Sequence, residues 1–258
     1  METKKAIEHI TTWLKNYSNQ SNTNGFVVGI SGGIDSALTS TLCALSGKKV
    51  LCLLMPIHQH SNEFDRSQAH VKWLCKNFSN VSYTTVDLSE TFDTLSKVVP
   101  SEANHNLTMA NTRARIRMTS LYAYAGAHGM LVAGTGNKVE DFGVGFYTKY
   151  GDGGVDISPI ADLMKSEVFA LAKELNIIDA IQTAKPTDGL WADGRTDEDQ
   201  LGASYDELEW AMNAYNDDPE NRFSGRQEEV FKIFTNLHRA NRHKMDAIPV
   251  CIIPHNLK

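Results

Sequence analysis

Residues 26–41 constrain the fold most, because an apolar run meets a glycine turn and then an amphipathic helix pattern. The run 26–30 is short, apolar and unbroken, which is typical of a parallel strand buried on both faces. The turn at 31–36 contains adjacent glycines, so its backbone can bend sharply and bring N–H groups close to an anion. A helix predicted from Ala37 onward directs its amino end at the same place. Together these three parts predict a phosphate-binding turn.

The residues of this turn separate it from other phosphate-binding loops. A Walker loop ends in Gly-Lys-Ser/Thr, and its lysine reaches the terminal phosphates. Residues 31–36 read Ser-Gly-Gly-Ile-Asp-Ser, with no lysine and with Asp35 in its place. A carboxylate beside a polyphosphate needs a cation between them, and Mg²⁺ held by one carboxylate and phosphate oxygens is the usual arrangement. We therefore expect a magnesium nucleotide here rather than a strand-to-helix turn without a ligand.

Further motifs narrow this interpretation to a family. The Ser-Gly-Gly-Ile-Asp-Ser stretch resembles the SGGxDS motif of N-type ATP pyrophosphatases, which split ATP between the α and β phosphates to adenylate a substrate. Residues 134–141 read Gly-Thr-Gly-Asn-Lys-Val-Glu-Asp, residues 146–154 read Phe-Tyr-Thr-Lys-Tyr-Gly-Asp-Gly-Gly, and residues 185–187 read Lys-Pro-Thr. In that order they resemble the ammonia-dependent NAD synthetases over nearly the whole chain. The resemblance implies a single domain over residues 1–258 with the Rossmann-like fold of the adenine nucleotide alpha hydrolases.

The same resemblance implies a set of site residues. Asp35 and Lys165 are expected to serve catalysis and to contact ATP, with Lys165 on a phosphate. Asp35 and Glu140 are expected to hold Mg²⁺, the implied cofactor, and ATP is the implied co-substrate. The other expected ATP contacts are Gly29, Ile30, Ser31, Gly32, Gly33, Ile34, Ser36, Thr135 and Thr187. The expected contacts with the acid substrate are Arg115, Lys149, Asp156, His243 and Lys244.

Three arginines lie in the longest predicted helix, residues 106–127. On a helix Arg113 and Arg117 share a face, whereas Arg115 points about 200° away from Arg113. The three side chains therefore cannot serve one purpose. The resemblance selects Arg115 for the acid substrate, and we expect Arg113 and Arg117 to be solvated or salt-bridged.

Short apolar runs alternate with helical patterns along most of the chain, which predicts a doubly wound parallel α/β sheet with helices on both faces. Further strands are expected at residues 50–55, 81–86 and 130–133. Helices are expected at residues 3–18, 37–46, 63–78, 89–98, 106–127, 165–175, 204–215 and 227–242. Ligands of such sheets bind beyond the carboxyl ends of the strands. Residues 134–137 are therefore expected at the same rim as the turn at 31–36.

Two polar segments have more than one interpretation. His58 and His60 form a His-x-His pair without a third ligand nearby, so we expect polar loop residues near the nucleotide rather than a metal site. Residues 186–200 are irregular and acidic. Such a segment is expected to be mobile and to close over bound substrate, and a disordered surface excursion is the alternative.

Charge and cysteine content limit the class of protein. A net charge of −6 over 258 residues disfavours an electrostatic surface for nucleic acid or for anionic membranes. No apolar run approaches the roughly 20 residues that cross a bilayer, and residues 1–20 do not resemble a secretion signal. The 4 cysteines are widely separated, which disfavours a zinc or redox motif. We expect them to be small buried hydrophobic residues in a reducing cytoplasm.

The resemblance implies ATP-dependent amidation of the nicotinate carboxylate of nicotinate adenine dinucleotide, through an acyl adenylate, to give NAD, AMP and pyrophosphate. The same motifs would also suit nicotinate mononucleotide as the acid. Glutamine-dependent members add a separate amidase domain, whereas all 258 residues here match the synthetase part. Free ammonia, or ammonia from a separate protein, is therefore the expected nitrogen donor. The implied assembly is a homodimer with the acid substrate at the subunit interface.

Other functions share part of this pattern. A GMP synthetase-like or tRNA-modifying enzyme would share the turn at 31–36, but the acidic charge disfavours tRNA and residues 147–154 disfavour the other enzymes. A non-catalytic adenine-nucleotide sensor on the same fold is the alternative outside enzymes. Two carboxylates at one metal position are unnecessary for sensing, so we expect an enzyme.

Overall fold

A computed structural model describes residues 1–59, 61–187, 196–218 and 222–258. Within these residues the sheet has four parallel strands in the order β3-β2-β1-β4. The strands are β1 (Gly25–Gly29), β2 (Lys49–Leu54), β3 (Val81–Thr85) and β4 (Leu131–Val132). Phe26 of β1 pairs with Val50 on one side and with Leu131 on the other. The predicted parallel sheet is confirmed.

Helices cover both faces of the sheet, because parallel strands need long crossover connections. They are α1 (Thr3–Gln20), α2 (Ile34–Leu45), α3 (Ser61–Asn77), α4 (Ser89–Val98), α5 (Asn106–His128), α6 (Lys165–Glu174), α7 (Asp179–Gln182), α8 (Asp197–Leu201), α9 (Tyr205–Asp217) and α10 (Gly225–Met245). A π-helix spans Val139–Val144, and short 3-10 helices span Ser101–Ala103 and His255–Leu257. The π-helix, α7 and α8 were not expected from the sequence.

Two element boundaries differ from the predicted ones in a way that affects the site. Helix α2 begins at Ile34 rather than at Ala37, because Gly33 serves as an extended N-cap residue and Asp35 is favoured in the first turn by the helix dipole. Strand β4 is confined to Leu131–Val132, and Ala133 continues it only as an isolated bridge. The turn expected at 31–36 is therefore shorter, and Asp35 already belongs to a helix.

Three apolar clusters hold these layers together. Two of them lie on opposite faces of the sheet, one towards α2 and α6 and one towards α4 and α5. The third, which we call the C-terminal core, joins the π-helix to α9 and α10 away from the sheet. The cluster towards α2 and α6 includes Leu38 and Leu171, and the cluster towards α4 and α5 includes Leu53 and Phe92. The C-terminal core includes Val144, Leu208 and Phe234. The C-terminal core is thus a packed unit apart from the two clusters that cover the sheet.

The cysteines are unpaired, and the expectation that all of them are buried is wrong for two. Cys43 and Cys52 are buried, and burial raises the pKa of both thiols, whereas Cys75 and Cys251 are exposed. Cys75 lies near the end of α3, and Cys251 lies in the C-terminal segment after α10, whose apolar side chains are exposed as well. Among the residues described, no helix combines the length and apolar character that a bilayer span requires.

A buried histidine on α3 makes stability depend on pH. His70 Nε2 lies 2.9 Å from Ser40 Oγ, and burial lowers the pKa of His70 from 6.5 to about 4. The unfolded chain therefore binds a proton near pH 6.5 that the folded protein does not bind until near pH 4, so stability falls as the pH decreases through this range. The full difference corresponds to roughly 3 kcal/mol.

We expect His70→Gln, which cannot take up this proton, to flatten the pH dependence of the unfolding free energy between pH 6.5 and pH 4. Urea denaturation at a series of pH values measures it. His9→Gln, at an exposed histidine, is the control and should keep the wild-type slope. An unchanged slope in His70→Gln would contradict this account.

Candidate active site

The turn after β1 is held by its own serine side chains. Gly32 has a φ of +88°, and a Cβ atom there would lie 2.6 Å from the carbonyl oxygen of Glu63, so the position requires glycine. Ser31 Oγ accepts a hydrogen bond from the Gly33 N–H at 3.1 Å. Ser36 Oγ donates to the Gly33 carbonyl oxygen at 3.0 Å. The amino end of α2 is thereby fixed where an anion could approach it.

This turn borders a cavity of about 610 Å³ at the carboxyl edge of the sheet. The cavity is within the size range of small-molecule sites. All residues expected to contact ATP line it, namely Gly29, Ile30, Ser31, Gly32, Gly33, Ile34, Asp35, Ser36, Thr135, Lys165 and Thr187. The structure thus brings the predicted nucleotide set to one place, and the individual contacts with ATP stay predictions.

The central feature of the cavity wall is an ammonium group between two carboxylates. Lys165 Nζ donates to Asp35 Oδ2 at 2.6 Å and to Glu140 Oε1 at 3.0 Å. The Lys165 side chain is only 3% exposed, against 17% for Asp35 and 16% for Glu140. The three groups come from the first turn of α2, the π-helix and the first residue of α6. We call them the Lys165 cluster.

The Lys165 cluster carries strong electrostatic coupling. Burial alone would lower the pKa of Lys165, but Asp35 and Glu140 together outweigh it and raise that pKa. Burial opposes ionisation of Glu140 as well, yet Lys165 and a hydrogen bond from Tyr205 bring the pKa of Glu140 below its usual value. For Asp35, burial raises the pKa, and the negative charge of Glu140 acts in the same direction. One ammonium thus serves two carboxylates, which leaves room for further positive charge.

The donor chemistry of this cluster fits a divalent cation. Carboxylate oxygens are hard ligands that suit Mg²⁺, and Asn137 holds the Asp35 carboxylate and the backbone of Glu140. Its Nδ2 donates to Asp35 Oδ1 at 3.1 Å, and its Oδ1 accepts from the Glu140 N–H at 3.1 Å. In the described part of the chain, no set of three or more His, Cys, Asp or Glu side chains is placed to hold a metal. A cation at Asp35 and Glu140 would therefore complete its ligands with phosphate oxygens and water.

The residues expected to bind the acid substrate are less closely grouped. Of this set, only Lys244 is among the described residues that line the cavity, and its Nζ donates to two carbonyl oxygens. Arg115 is exposed, and its Nη2 donates to the Lys149 carbonyl oxygen at 3.3 Å. Lys149 Nζ in turn donates to the His243 carbonyl oxygen. Arg115, Lys149 and His243 thus form a connected group outside the cavity.

Asp156 has partners within the protein. Its Oδ2 accepts from the Val132 N–H at 2.8 Å, and its Oδ1 accepts from the Tyr122 hydroxyl at 3.0 Å. These contacts satisfy an N–H of β4, the edge strand beside β1. The carboxylate therefore already stabilises the sheet edge, and a role in substrate binding stays a prediction.

Arg117 contradicts the expectation of a solvated or salt-bridged side chain. It lines the cavity, its Nε donates to the Met55 carbonyl oxygen at 3.0 Å, and burial lowers its pKa to about 10. Arg113 instead stacks over the Phe92 ring at 4.3 Å. Arg117 shares a helix face with small and apolar residues, but the sequence alone does not show that this face meets the cavity. The members of that face that line the cavity are Ala110, Ala114, Arg117 and Leu121.

A second cavity residue was missed on α3. Arg66 Nε donates to the Gly32 carbonyl oxygen at 3.3 Å, and Arg66 lines the cavity. It thus ties the turn to α3. No motif pointed to it, since its position depends on how α3 packs beside the turn.

The two polar segments have different outcomes. His58 does not line the cavity, and its Nε2 lies 2.8 Å from Asp93 Oδ1 instead; His60 lies outside the described residues. Residues 188–195 of the expected mobile segment also lie outside them. Its far end is not irregular, because Thr196 caps α8. At its near end Thr187 Oγ1 donates to Glu63 Oε1 at 2.9 Å.

Comparison with known families matches residues 6–248 to the family described as NAD synthase. The chain belongs to the NAD synthase family. One relative, the NH(3)-dependent NAD(+) synthetase of Methanosarcina acetivorans, is 38% identical over 259 aligned residues, which cover 97% of this chain and 98% of that protein. The family predicted from the motifs at residues 31–36, 134–141, 146–154 and 185–187 is therefore confirmed.

Two solved structures share the fold of this chain. The NMN synthetase from Francisella tularensis superposes with a TM-score of 0.85 at 27% identity, covering 99% of this chain and 99% of that chain. The NH3-dependent NAD synthetase from Campylobacter jejuni, solved with a nitrate ion, superposes with a TM-score of 0.79 at 30% identity. The superposition covers 98% of this chain and 100% of that chain. The predicted doubly wound α/β architecture is thus found in both neighbours.

Proposed function

We propose that this member of the NAD synthase family amidates the nicotinate carboxylate of nicotinate adenine dinucleotide with ammonia, using ATP and releasing NAD, AMP and pyrophosphate. It is then a ligase that forms a C–N bond. The Lys165 cluster carries the proposal, because it places two carboxylates and an ammonium beside an anion-binding turn in the cavity wall. The M. acetivorans relative, NH(3)-dependent by name, supports ammonia as the nitrogen donor.

The first step activates the acid. A carboxylate cannot be attacked directly by ammonia, because its oxygen is a very poor leaving group. A carboxylate oxygen of the substrate instead attacks the α-phosphorus of ATP, and the bond to the bridging oxygen breaks to release pyrophosphate. The N–H groups of the turn and the amino end of α2 would hold that pyrophosphate. Lys165 would offset the charge that develops on it.

The carboxylates of Asp35 and Glu140 are the proposed ligands of Mg²⁺. When bound, this ion screens the phosphates and stabilises the leaving group. Asn137 donates to the Asp35 carboxylate and accepts from the Glu140 N–H, which ties these two residues to one side chain. Thr135 and Thr187, which line the cavity, are proposed to position the nucleotide.

The second step transfers the acyl group. Ammonia attacks the acyl carbon of the adenylate, the bond to the AMP oxygen breaks, and the nitrogen loses a proton to give the amide. No protein group forms a covalent bond in this scheme, so catalysis consists of positioning and electrostatics. Lys244 in the cavity wall is a proposed contact for the acid substrate. The others, Arg115, Lys149, Asp156 and His243, are proposed to reach it from the adjoining surface.

One observation favours a second candidate function. The F. tularensis neighbour is an NMN synthetase by title, and its fold matches this chain over 99% of both lengths. Nicotinate mononucleotide could use the same turn, Lys165 cluster and cavity, since the chemistry at the carboxylate is the same. The preference between the two acids depends on how the protein holds the adenylate half, which only the dinucleotide has.

A direct competition tests the proposed function. Both acids are supplied with ATP, Mg²⁺ and ammonium, and kcat/KM is compared from the amounts of the two amides. We expect the dinucleotide acid to be preferred and AMP to form only when an acid is present. A preference for the mononucleotide would select the second candidate. If neither acid is converted, the proposed amidation is wrong.

We also propose a homodimer. The proposal rests on the family resemblance, and exposed apolar side chains in the C-terminal segment support it, with Ile248, Val250 and Ile252 exposed by 66%, 74% and 80%. Such a run of exposed apolar residues is unusual for a monomer surface. Sedimentation at working concentration should give twice the chain mass of 28.6 kDa, and a monomer would overturn the proposal.

A further inference from the structure

One face of α9 contacts both sides of the Lys165 cluster. Tyr205 and Glu209 lie four residues apart and therefore project from the same face of this helix. The Tyr205 hydroxyl donates to Glu140 Oε1 at 2.6 Å, and Tyr205 is only 5% exposed. Glu209 accepts two hydrogen bonds of 2.7 Å from Ser166, one from its N–H and one from its hydroxyl. Ser166 directly follows Lys165 in the chain.

Tyr205 contacts both members of the ion pair between Lys165 and Glu140. Glu140 Oε1 accepts one hydrogen bond from Lys165 Nζ and a second one from the Tyr205 hydroxyl. The Lys165 ammonium lies 4.6 Å from the centre of the Tyr205 ring, which is a cation–π distance. One side chain thus fixes the direction of the carboxylate and covers the ammonium.

Glu209 fixes the backbone from which Lys165 extends. The first N–H groups of a helix lack partners within the helix, and Glu209 satisfies the one on Ser166. Its negative charge at the start of α6 is also favoured by the helix dipole. The Glu167 carboxylate accepts from the Met164 N–H at 2.9 Å and secures the preceding residue. The start of α6 is therefore held from α9 as well as from within.

We propose that α9 is a positioning element of this active site, in which Tyr205 aims the Glu140 carboxylate and Glu209 sets the position of Lys165. The inference rests on the proposed function and deepens it. Tyr205 would act on the proposed cation through Glu140, and Glu209 would act on the phosphate groups through Lys165. Neither side chain touches the reacting atoms in the proposed scheme. Both are positioning residues.

Two conservative substitutions test this inference. Tyr205→Phe keeps the ring over Lys165 and removes only the hydroxyl, and Glu209→Gln keeps the side-chain length and removes the charge. Tyr215→Phe is the matched control, because Tyr215 lies on the same helix, packs its ring against Phe234, and makes no hydroxyl hydrogen bond to a described residue. For each variant, the affinity for ATP is measured by calorimetry with Mg²⁺ and with EDTA, in the absence of acid substrate. Turnover and the melting temperature are measured separately.

We expect Tyr205→Phe to weaken ATP binding about tenfold with Mg²⁺ and to leave binding in EDTA unchanged, since residues behind metal ligands typically contribute 10–100-fold. Its kcat should fall by about 10–100-fold, with little change in the KM of the acid. Glu209→Gln should lower kcat severalfold, and Tyr215→Phe should match the wild type in every readout.

A structural role alone would give a different pattern. If Tyr205→Phe and Glu209→Gln lower only the melting temperature, and kcat and both ATP affinities equal those of the wild type, the inference is wrong. If Tyr205→Phe does not fold, Glu209→Gln decides the question by its kcat. If the wild type amidates neither acid, the proposed function fails, and the difference in ATP affinity between Mg²⁺ and EDTA still tests the positioning role.

Discussion

Asp35→Asn should abolish turnover and leave the fold intact. Asparagine has the shape of aspartate but no charge, and Asp35 Oδ2 is the closest partner of Lys165, at 2.6 Å. The substitution removes a proposed Mg²⁺ ligand beside the phosphates and leaves Lys165 with one carboxylate. A metal ion contributes several kcal/mol of charge stabilisation, so we expect kcat to fall on the order of a thousandfold. AMP formation measures the loss, and circular dichroism measures the fold.

Asp162→Asn is the matched control for this experiment. Asp162 pairs with Lys138 at 2.9 Å, but its side chain is 97% exposed, and exposed ion pairs contribute little. Turnover of this control should equal that of the wild type. If Asp35→Asn keeps turnover within tenfold of the wild type, Asp35 does not belong to the proposed metal site.

Lys165→Met should destabilise the protein and inactivate it. Removing one partner of a buried ion pair leaves the other charge uncompensated, which typically costs about 3–5 kcal/mol. Here the uncompensated groups are Asp35 and Glu140, both mostly buried. We expect the unfolding free energy, measured by urea denaturation in EDTA, to decrease by that amount. Turnover should also be lost, because no ammonium remains beside the leaving pyrophosphate.

Added Mg²⁺ should restore part of this stability, because a cation at the two carboxylates replaces the missing ammonium and binding to the folded state stabilises it. The gain on adding Mg²⁺ should be larger in Lys165→Met than in the wild type. Lys138→Met, at the exposed pair with Asp162, is the control and should change neither stability nor the response to Mg²⁺. If the unfolding free energy of Lys165→Met in EDTA equals that of the wild type, the described balance of charges is wrong.

The layout of the sheet could be predicted because its information is local. Strands β1 and β2 are buried, short apolar runs, and the turn at residues 31–36 carries its own glycines and serines. The start of α2 was predicted three residues late, since Gly33 acts as a cap through its extended backbone rather than through a side chain. The short β4 was also missed, because its length depends on where Ala133 and Ile157 meet.

The site could be predicted only in part. Asp35, Glu140 and Lys165 were each selected by motif, but their mutual contacts join residues up to 130 positions apart and follow from tertiary packing. Arg117 was misinterpreted because the sequence shows which residues share a helix face but not which face meets the cavity. The sequence predicts Tyr205 only as part of a helix over residues 204–215, because its contact with Glu140 forms once α9 packs on the π-helix.

Because the protein is divided into separate apolar clusters, the site can lose activity before the whole protein unfolds. Asp35 lies in the first turn of α2, which packs on the sheet, whereas Glu140 lies in the π-helix, whose Val139 and Val144 belong to the C-terminal core. Proteins open in cooperative parts at free energies below that of global unfolding. An opening of the C-terminal core would move Glu140 away from Asp35 while the sheet kept its hydrogen bonds. Mild denaturant should therefore inactivate the protein, and speed amide exchange in α9 and α10, before the strands lose their protection.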